Sequence, residues 1–138
     1  MNGSALRRAV RPIAAAIFTL WLIAGVAIFI MPATFYALTP GVSLFGPFNA
    51  HFIGDVALAY VASGVVGLYG LRTADKPLCI AAACWSCLHA VFHLHIWIER
   101  GHPCDGVFLF DLTFVIAPPF LVAALVWLAG VRRADQSL

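Results

Sequence analysis

Two pairs of ionisable residues are spaced four positions apart within strongly apolar stretches of the sequence. One pair is His51 and Asp55, and the other is His89 and His93. Residues four apart share one face of an α-helix, so each pair presents its side chains together. Imidazole and carboxylate groups are ligands of Zn, Fe, Mn and Cu, and facing helices in bundles commonly supply them in this way. The spacing therefore predicts a transition metal site, provided that the two helices face each other.

The composition of the chain indicates which elements position these pairs. Of the 138 residues, 63% are hydrophobic and 10% are charged, and the mean hydropathy is +0.98. A soluble domain does not reach such values, so the chain is expected to lie in a lipid bilayer. A helix needs roughly 20 apolar residues to cross the hydrocarbon, and four such stretches occur, at residues 12–31, 51–71, 78–98 and 107–130. The sequence predicts an all-α bundle of four transmembrane helices in a single domain, residues 1–138.

Basic residues predict the orientation of this bundle. All but Arg100 lie at the two termini or between the second and third helices, positions that four spans place on one side of the membrane. By the positive-inside rule that side is the cytoplasm. We therefore expect a multi-pass protein of the inner cell membrane with both termini cytoplasmic. The formal net charge of +2 reflects this topology, so no nucleic acid partner is expected. The residues that set the orientation are Arg7, Arg8, Arg11, Arg72, Lys76, Arg132 and Arg133.

Arginines before an apolar run also describe a secretory signal peptide, so the first span needs a separate argument. The apolar run of a signal peptide has about 7 to 15 residues. The run from Ile13 to Met31 is longer, and no small-x-small cleavage site follows it. The first span is therefore predicted to be a retained membrane helix.

The candidate ligands are expected to meet in the outer half of the bundle. The second helix runs inward from His51 and the third runs outward, so at about 1.5 Å per residue Asp55 and His93 reach similar depths and can face each other. Asp111 falls at the same level on the fourth helix, as a fifth ligand or as a carboxylate that supports another ligand. The predicted metal ligands are His51, Asp55, His89, His93 and Asp111.

His95 is not expected to join this site. It points about 160° away from His93 on the same helix and is better placed to pair with Glu99. For the other ring nitrogen of a ligating histidine, Asn49 and Ser86 are nearby acceptors.

Two other uses of the same residues remain open. A His/Asp hydrogen-bond or ion-pair network would hold the helices of a non-enzymatic subunit together, and a proton relay would serve a small transporter. Few polar residues continue toward the cytoplasm beyond Ser63, Tyr69 and Ser86, which argues against a through-channel. Faces rich in small residues allow a homo-oligomer or docking in a larger membrane complex.

Several other features of the sequence predict local structure. Cys84 and Cys87 form a CxxC motif, which inside an apolar helix indicates small buried side chains rather than redox chemistry. The aromatic loop at residues 32–50 is expected to fold back over the bundle at the interface, where it would serve as an interfacial anchor or as a lid. Pro118 and Pro119 should kink the fourth helix near mid-membrane.

Two segments carry a resemblance to known proteins. Residues 49–56 read Asn-Ala-His-Phe-Ile-Gly-Asp-Val, and residues 89–93 read His-Ala-Val-Phe-His. At these positions the chain resembles a loosely defined group of small bacterial four-helix membrane proteins. Those carry an Asn-x-[His/Glu]-x-x-x-Asp segment opening the second helix and a His-x-x-x-His segment late in the third. The resemblance implies the architecture and no activity. This chain has Ile96 where a third histidine often follows in that group, with His95 beside it.

Overall fold

A computed structural model of the protein describes residues 3–129. Four of its helical segments are long and apolar enough to cross a bilayer, and no strand occurs among the described residues, which confirms the all-α membrane bundle. The elements are α1 Gly3–Ile30, α2 Pro32–Leu38, a 3-10 turn Val42–Phe45, α3 Ala50–Arg72, α4 Lys76–Glu99, α5 Gly106–Phe110, a π-helical turn Asp111–Ile116, and α6 Ala117–Ala129. Together α5, the π turn and α6 form the last span, Gly106–Leu128.

Two parts of the sequence prediction are not tested by these elements. Arg132 and Arg133 lie outside the described residues, as do the side chains of Arg7 and Arg8 and the predicted helix end at Gly130. The cytoplasmic placement of the termini stays a prediction. The end of the bundle at which α3 begins and α4 ends is called the outer end below, after that predicted orientation, and the opposite end is called the inner end.

Acidic or amide side chains cap the start of each of the three later spans. Asn49 accepts a hydrogen bond from the Phe52 N–H at 3.1 Å, and Asp75 accepts one from the Leu78 N–H at 3.0 Å. Asp105 accepts a third from the N–H of Phe108 at 2.9 Å. Such caps satisfy backbone donors that have no partner within the helix. They explain why each span begins within a few residues of the predicted boundary.

The four spans form a ring of neighbouring helices. Helix α1 packs against α3 and α6, and α4 packs against the same two elements from the other side. The short connection Thr73–Asp75 makes α3 and α4 antiparallel neighbours. This order brings α4 against the last span and leaves both in position to share a site.

Glycines let α1 and α3 approach closely. A Cβ added at Gly64 would lie 2.7 Å from the Phe18 carbonyl oxygen, and one added at Gly67 would overlap the Phe18 ring. On α1, a Cβ at Gly25 would lie 2.6 Å from the Ala57 carbonyl oxygen. Small residues at helix contacts allow this packing in membranes, where no hydrophobic effect drives helices together. Gly64 and Gly67 of α3 therefore face α1.

The inner half of the bundle is filled with apolar side chains. Phe18 and Trp21 of α1 form a buried cluster with Leu71 of α3 and with Val122 and Val126 of the last span. Ring contacts reinforce it, because Phe18 and Trp21 meet edge to face with centroids 5.5 Å apart. This buried apolar cluster therefore separates the polar residues of the outer half from the inner end.

Basic side chains of the inner end bind the carboxyl ends of neighbouring helices. The Arg11 guanidinium donates to the Leu71 carbonyl at 2.9 Å, and the Lys76 ammonium donates to the Trp127 carbonyl at 3.1 Å. Lys76 also lies 4.2 Å from the centroid of the Trp127 ring. The carboxyl end of a helix carries partial negative charge, so these cations stabilise α3 and α6.

The aromatic segment after α1 folds back over the outer end, as the sequence predicted. Phe35 and Tyr36 pack against a buried cluster that contains Ile53 and Ala57 of α3. The Tyr36 hydroxyl donates to the Gly46 carbonyl at 2.8 Å, which fixes the following turn.

Candidate functional site

The centre of the candidate site is a contact between α4 and the last span. Nδ1 of His93 lies 2.9 Å from Oδ2 of Asp111, and the two side chains are only 21% and 10% exposed. The separation is that of a hydrogen bond, yet Nδ1 makes no aligned hydrogen bond. The two polar atoms therefore lie close together without the alignment of a good hydrogen bond.

Asp111 is buried at the start of an irregular turn in the last span. It opens the π-helical turn Asp111–Ile116, in which the N–H of Ala117 donates to the carbonyl of Leu112 five residues earlier. π turns are rare and often occur at functional sites. The turn ends at Ile116, two residues before Pro118. The predicted kink of the helix axis at Pro118 and Pro119 stays a prediction.

His89 lies beside His93 and is enclosed by aromatic rings. Its ring stacks on Trp85 with centroids 4.8 Å apart and an interplanar angle of 12°. It meets the His93 ring edge to face at 4.7 Å, and Tyr60 of α3 lies edge-on at 6.3 Å. Residues four apart on a helix stack in this way, so the spacing of Trp85 and His89 was the sequence signal for a contact that the prediction missed.

A second buried polar atom lies on the same face of α4. The Oγ of Ser86 has no hydrogen-bond partner in the described part of the chain, and the residue is 2% exposed. Ser86, His89 and His93 are spaced at three and four residues, which places them along one side of the helix. Buried polar groups usually have partners, so two unpartnered atoms on one face indicate a place where a bound ion or molecule would be stabilised.

The other predicted ligands lie on the surface of the bundle. His51 and Asp55 pair with each other at 3.6 Å, and their side chains are 91% and 62% exposed. The expected facing of Asp55 and His93 is therefore not seen, because the inward face of α3 carries Ile53 and Ala57 instead. His95 pairs with Glu99 at 3.3 Å and is also exposed, as predicted.

The cysteines are only partly as expected. Cys79 is buried, with its thiol 3.9 Å from the Gly67 carbonyl. Cys87 is half-buried, but Cys84 is exposed on the outside of the bundle. The two residues of the CxxC motif therefore lie in different surroundings.

The loop before the last span holds the start of that span in place. The Asp105 carboxylate caps the helix by accepting from the Phe108 N–H, and it also accepts a hydrogen bond from the Arg100 guanidinium. The Phe108 N–H, followed by the Arg100 side chain, lowers the pKa of Asp105 below its ordinary value. Trp97 stacks on Phe108 with centroids 4.9 Å apart and donates to the Pro103 carbonyl at 3.0 Å. These contacts fix the start of the span that carries Asp111.

Three of the five predicted ligands thus lie together, and two do not. In residues 3–129, no group of three or more His, Cys, Asp or Glu side chains is arranged to hold a metal ion. His93 Nδ1 and Asp111 Oδ2 lie 2.9 Å apart, but the His89 ring is stacked on Trp85.

Comparisons with known proteins add no assignment: no protein family, curated protein or solved structure matches this chain.

Proposed function

We propose that this integral membrane protein binds a transition metal ion between α4 and the last span. His93 and Asp111 would be its first two ligands, and His89 would supply the third. The observation that carries the proposal is the buried Nδ1 of His93, which lies 2.9 Å from Oδ2 of Asp111 without an aligned hydrogen bond. Two ligand atoms that bind one ion at about 2.1 Å are about 3.0 Å apart at the right angle of an octahedral ion and about 3.4 Å apart at the tetrahedral angle that zinc prefers. The contact therefore has the spacing of two neighbouring ligands of an octahedral ion.

The donor set indicates which ions and which chemistry to test. Two imidazoles and one carboxylate suit Zn, Fe, Mn or Cu. With iron, this set leaves coordination positions open for a substrate, so a redox activity is part of the proposal. His89 would complete the set by leaving its stack on Trp85. His51 and Asp55 are left out of the ligand set because their side chains are exposed and paired with each other.

A second candidate function uses the same contact without a metal. The pairing of His93 with Asp111 already places two buried polar groups beside each other, which reduces the cost of their burial. In that case the pair fastens α4 to the last span in a structural membrane subunit. The buried apolar cluster that contains Phe18, Leu71 and Val126 argues against a proton path across the membrane.

Metal content by elemental mass spectrometry, measured on the detergent-purified protein, separates the two candidates. The protein would be incubated in turn with Zn(II), Fe(II), Mn(II) and Cu(II), and excess ion removed. We expect about one ion per chain in the parent, and at least a tenfold loss of affinity in His93→Gln and in Asp111→Asn. Circular dichroism and gel filtration would check that each variant is folded.

The matched controls are the exposed pairs. His51→Gln with Asp55→Asn, and separately His95→Gln, should retain the ion, because neither pair touches His93 or Asp111 in the proposed site. A folded parent that holds no metal would contradict the proposal and leave the structural pair. If the variant with His51→Gln and Asp55→Asn loses as much metal as His93→Gln does, the ion binds at a different site.

A further inference from the structure

The last span changes helix type directly beside its buried carboxylate. The π-helical turn Asp111–Ile116 separates α5 from α6, and the hydrogen bond from the Ala117 N–H to the Leu112 carbonyl closes it. A π turn takes up one residue more than an α-helical turn. Its presence therefore sets the angle between the side chains that precede it and those that follow it.

Pro118 and Pro119 give the physical reason for the turn. Neither residue has a backbone N–H, so neither can donate to the carbonyl four residues earlier. In a regular α-helix, their rings would also collide with the carbonyls of Phe114 and Val115. A wider turn at Asp111–Ile116 would relieve these collisions. The prolines thus disfavour the α-helical alternative in this segment.

The direction of Asp111 depends on this choice. If the turn closed to an α-helix, the residues before it would rotate by about 100° relative to α6. Helix α6 is held in the core by Val122 and Val126, which are 0% and 1% exposed. Asp111, now 7% exposed against α4, would then leave the face that meets His93.

We propose that Pro118 and Pro119 are positioning residues, which maintain the π turn and thereby direct the Asp111 carboxylate at His93. The inference deepens the proposed site and rests on its identification of Asp111. Its test reads the contact between Asp111 and His93 directly, so a failure of metal binding and a failure of this inference are distinguishable.

The test is ¹⁵N NMR of the full chain in detergent micelles with labelled histidine. His93→Gln assigns the His93 resonance by its loss, and Asp111→Asn gives the unpaired reference position. Three variants are compared: Pro118→Ala with Pro119→Ala, deletion of Leu112, and the two changes combined. The first two should each move the His93 resonance the full distance to the Asp111→Asn position.

The combined variant should return the resonance to the parental position. An α-helix with one residue fewer restores the angle of Asp111 that the π turn provides, so two disruptive changes should compensate. A His93 resonance unchanged by the proline substitutions would overturn the proposal. A combined variant whose His93 resonance lies at the same position as in the Leu112 deletion alone would also overturn the proposal. This second comparison does not use the proline variant by itself, so it still tests the proposal if that variant does not fold.

Discussion

Nδ1 of His93 lies 2.9 Å from Oδ2 of Asp111, and this contact joins α4 to the last span in the outer half of the bundle. Replacing either residue leaves the other buried without its partner. We expect Asp111→Asn and His93→Gln each to lower the free energy of unfolding by about 1–3 kcal/mol. Thermal unfolding in detergent, followed by circular dichroism, measures the change.

The exposed pair of the same type is the control for that prediction. His51 and Asp55 have side chains that are 91% and 62% exposed, so Asp55→Asn should cost less than about 1 kcal/mol. If Asp55→Asn and Asp111→Asn destabilise equally, burial does not govern the contribution of these pairs.

The contact between α1 and α3 makes a sharper prediction. A Cβ at Gly64 would meet the Phe18 carbonyl and the Leu22 backbone nitrogen at 2.7 and 2.8 Å, and backbone atoms cannot turn aside. Gly64→Ala should therefore destabilise the protein by about 1–3 kcal/mol. A Cβ at Gly54, on the same helix, would meet nothing within 4 Å. Gly54→Ala should be neutral or stabilise by up to about 1 kcal/mol, because alanine favours a helix.

The cap of the last span predicts a dependence on acid pH. The folded state lowers the pKa of Asp105 through the Phe108 N–H and then the Arg100 side chain. A carboxyl whose pKa is lower in the folded state contributes stability that is present above its unfolded pKa and lost as the pH falls through the folded pKa. Thermal stability should therefore fall as the pH drops below about 4.

Asp105→Asn tests the origin of that fall. Asparagine still accepts a hydrogen bond as a cap but carries no titrating charge. The variant should lose part of the acid-dependent decrease and should show a lower stability at neutral pH, where the contact with Arg100 is missing. An unchanged pH profile would mean that another carboxyl is responsible.

At the inner end, Lys76 is predicted to stabilise the end of the last span. It donates to the Trp127 carbonyl at 3.1 Å and lies 4.2 Å from the centroid of its ring. Lys76→Met should cost about 0.5–1 kcal/mol in thermal unfolding, because it removes a cation from the carboxyl end of a helix. In a Trp127→Leu background, the cost should shrink to that of the carbonyl contact alone. An equal cost in both backgrounds would show that the ring adds nothing.

The architecture could be predicted from the sequence because the bilayer imposes one-dimensional rules. Span length follows from hydrocarbon thickness and backbone satisfaction, so four apolar stretches were enough to predict four helices. The caps at Asn49, Asp75 and Asp105 acted locally and kept the span starts close to the predicted ones. The pairing of His95 with Glu99 was also predicted correctly, since both lie on one helix four residues apart.

What the sequence could not determine was how each helix is rotated about its axis. Asp55 and Asp111 were both predicted to lie at the depth of His93, so either could have been its partner. Residue spacing gives the height of a side chain along its helix, but it does not give the direction in which that face points within the bundle. Tertiary packing decided in favour of Asp111. Gly64 and Gly67 of α3 face Phe18 of α1, and Asp55 lies exposed on the other side of that helix. Asp111 is buried at the start of the π turn, where it meets His93.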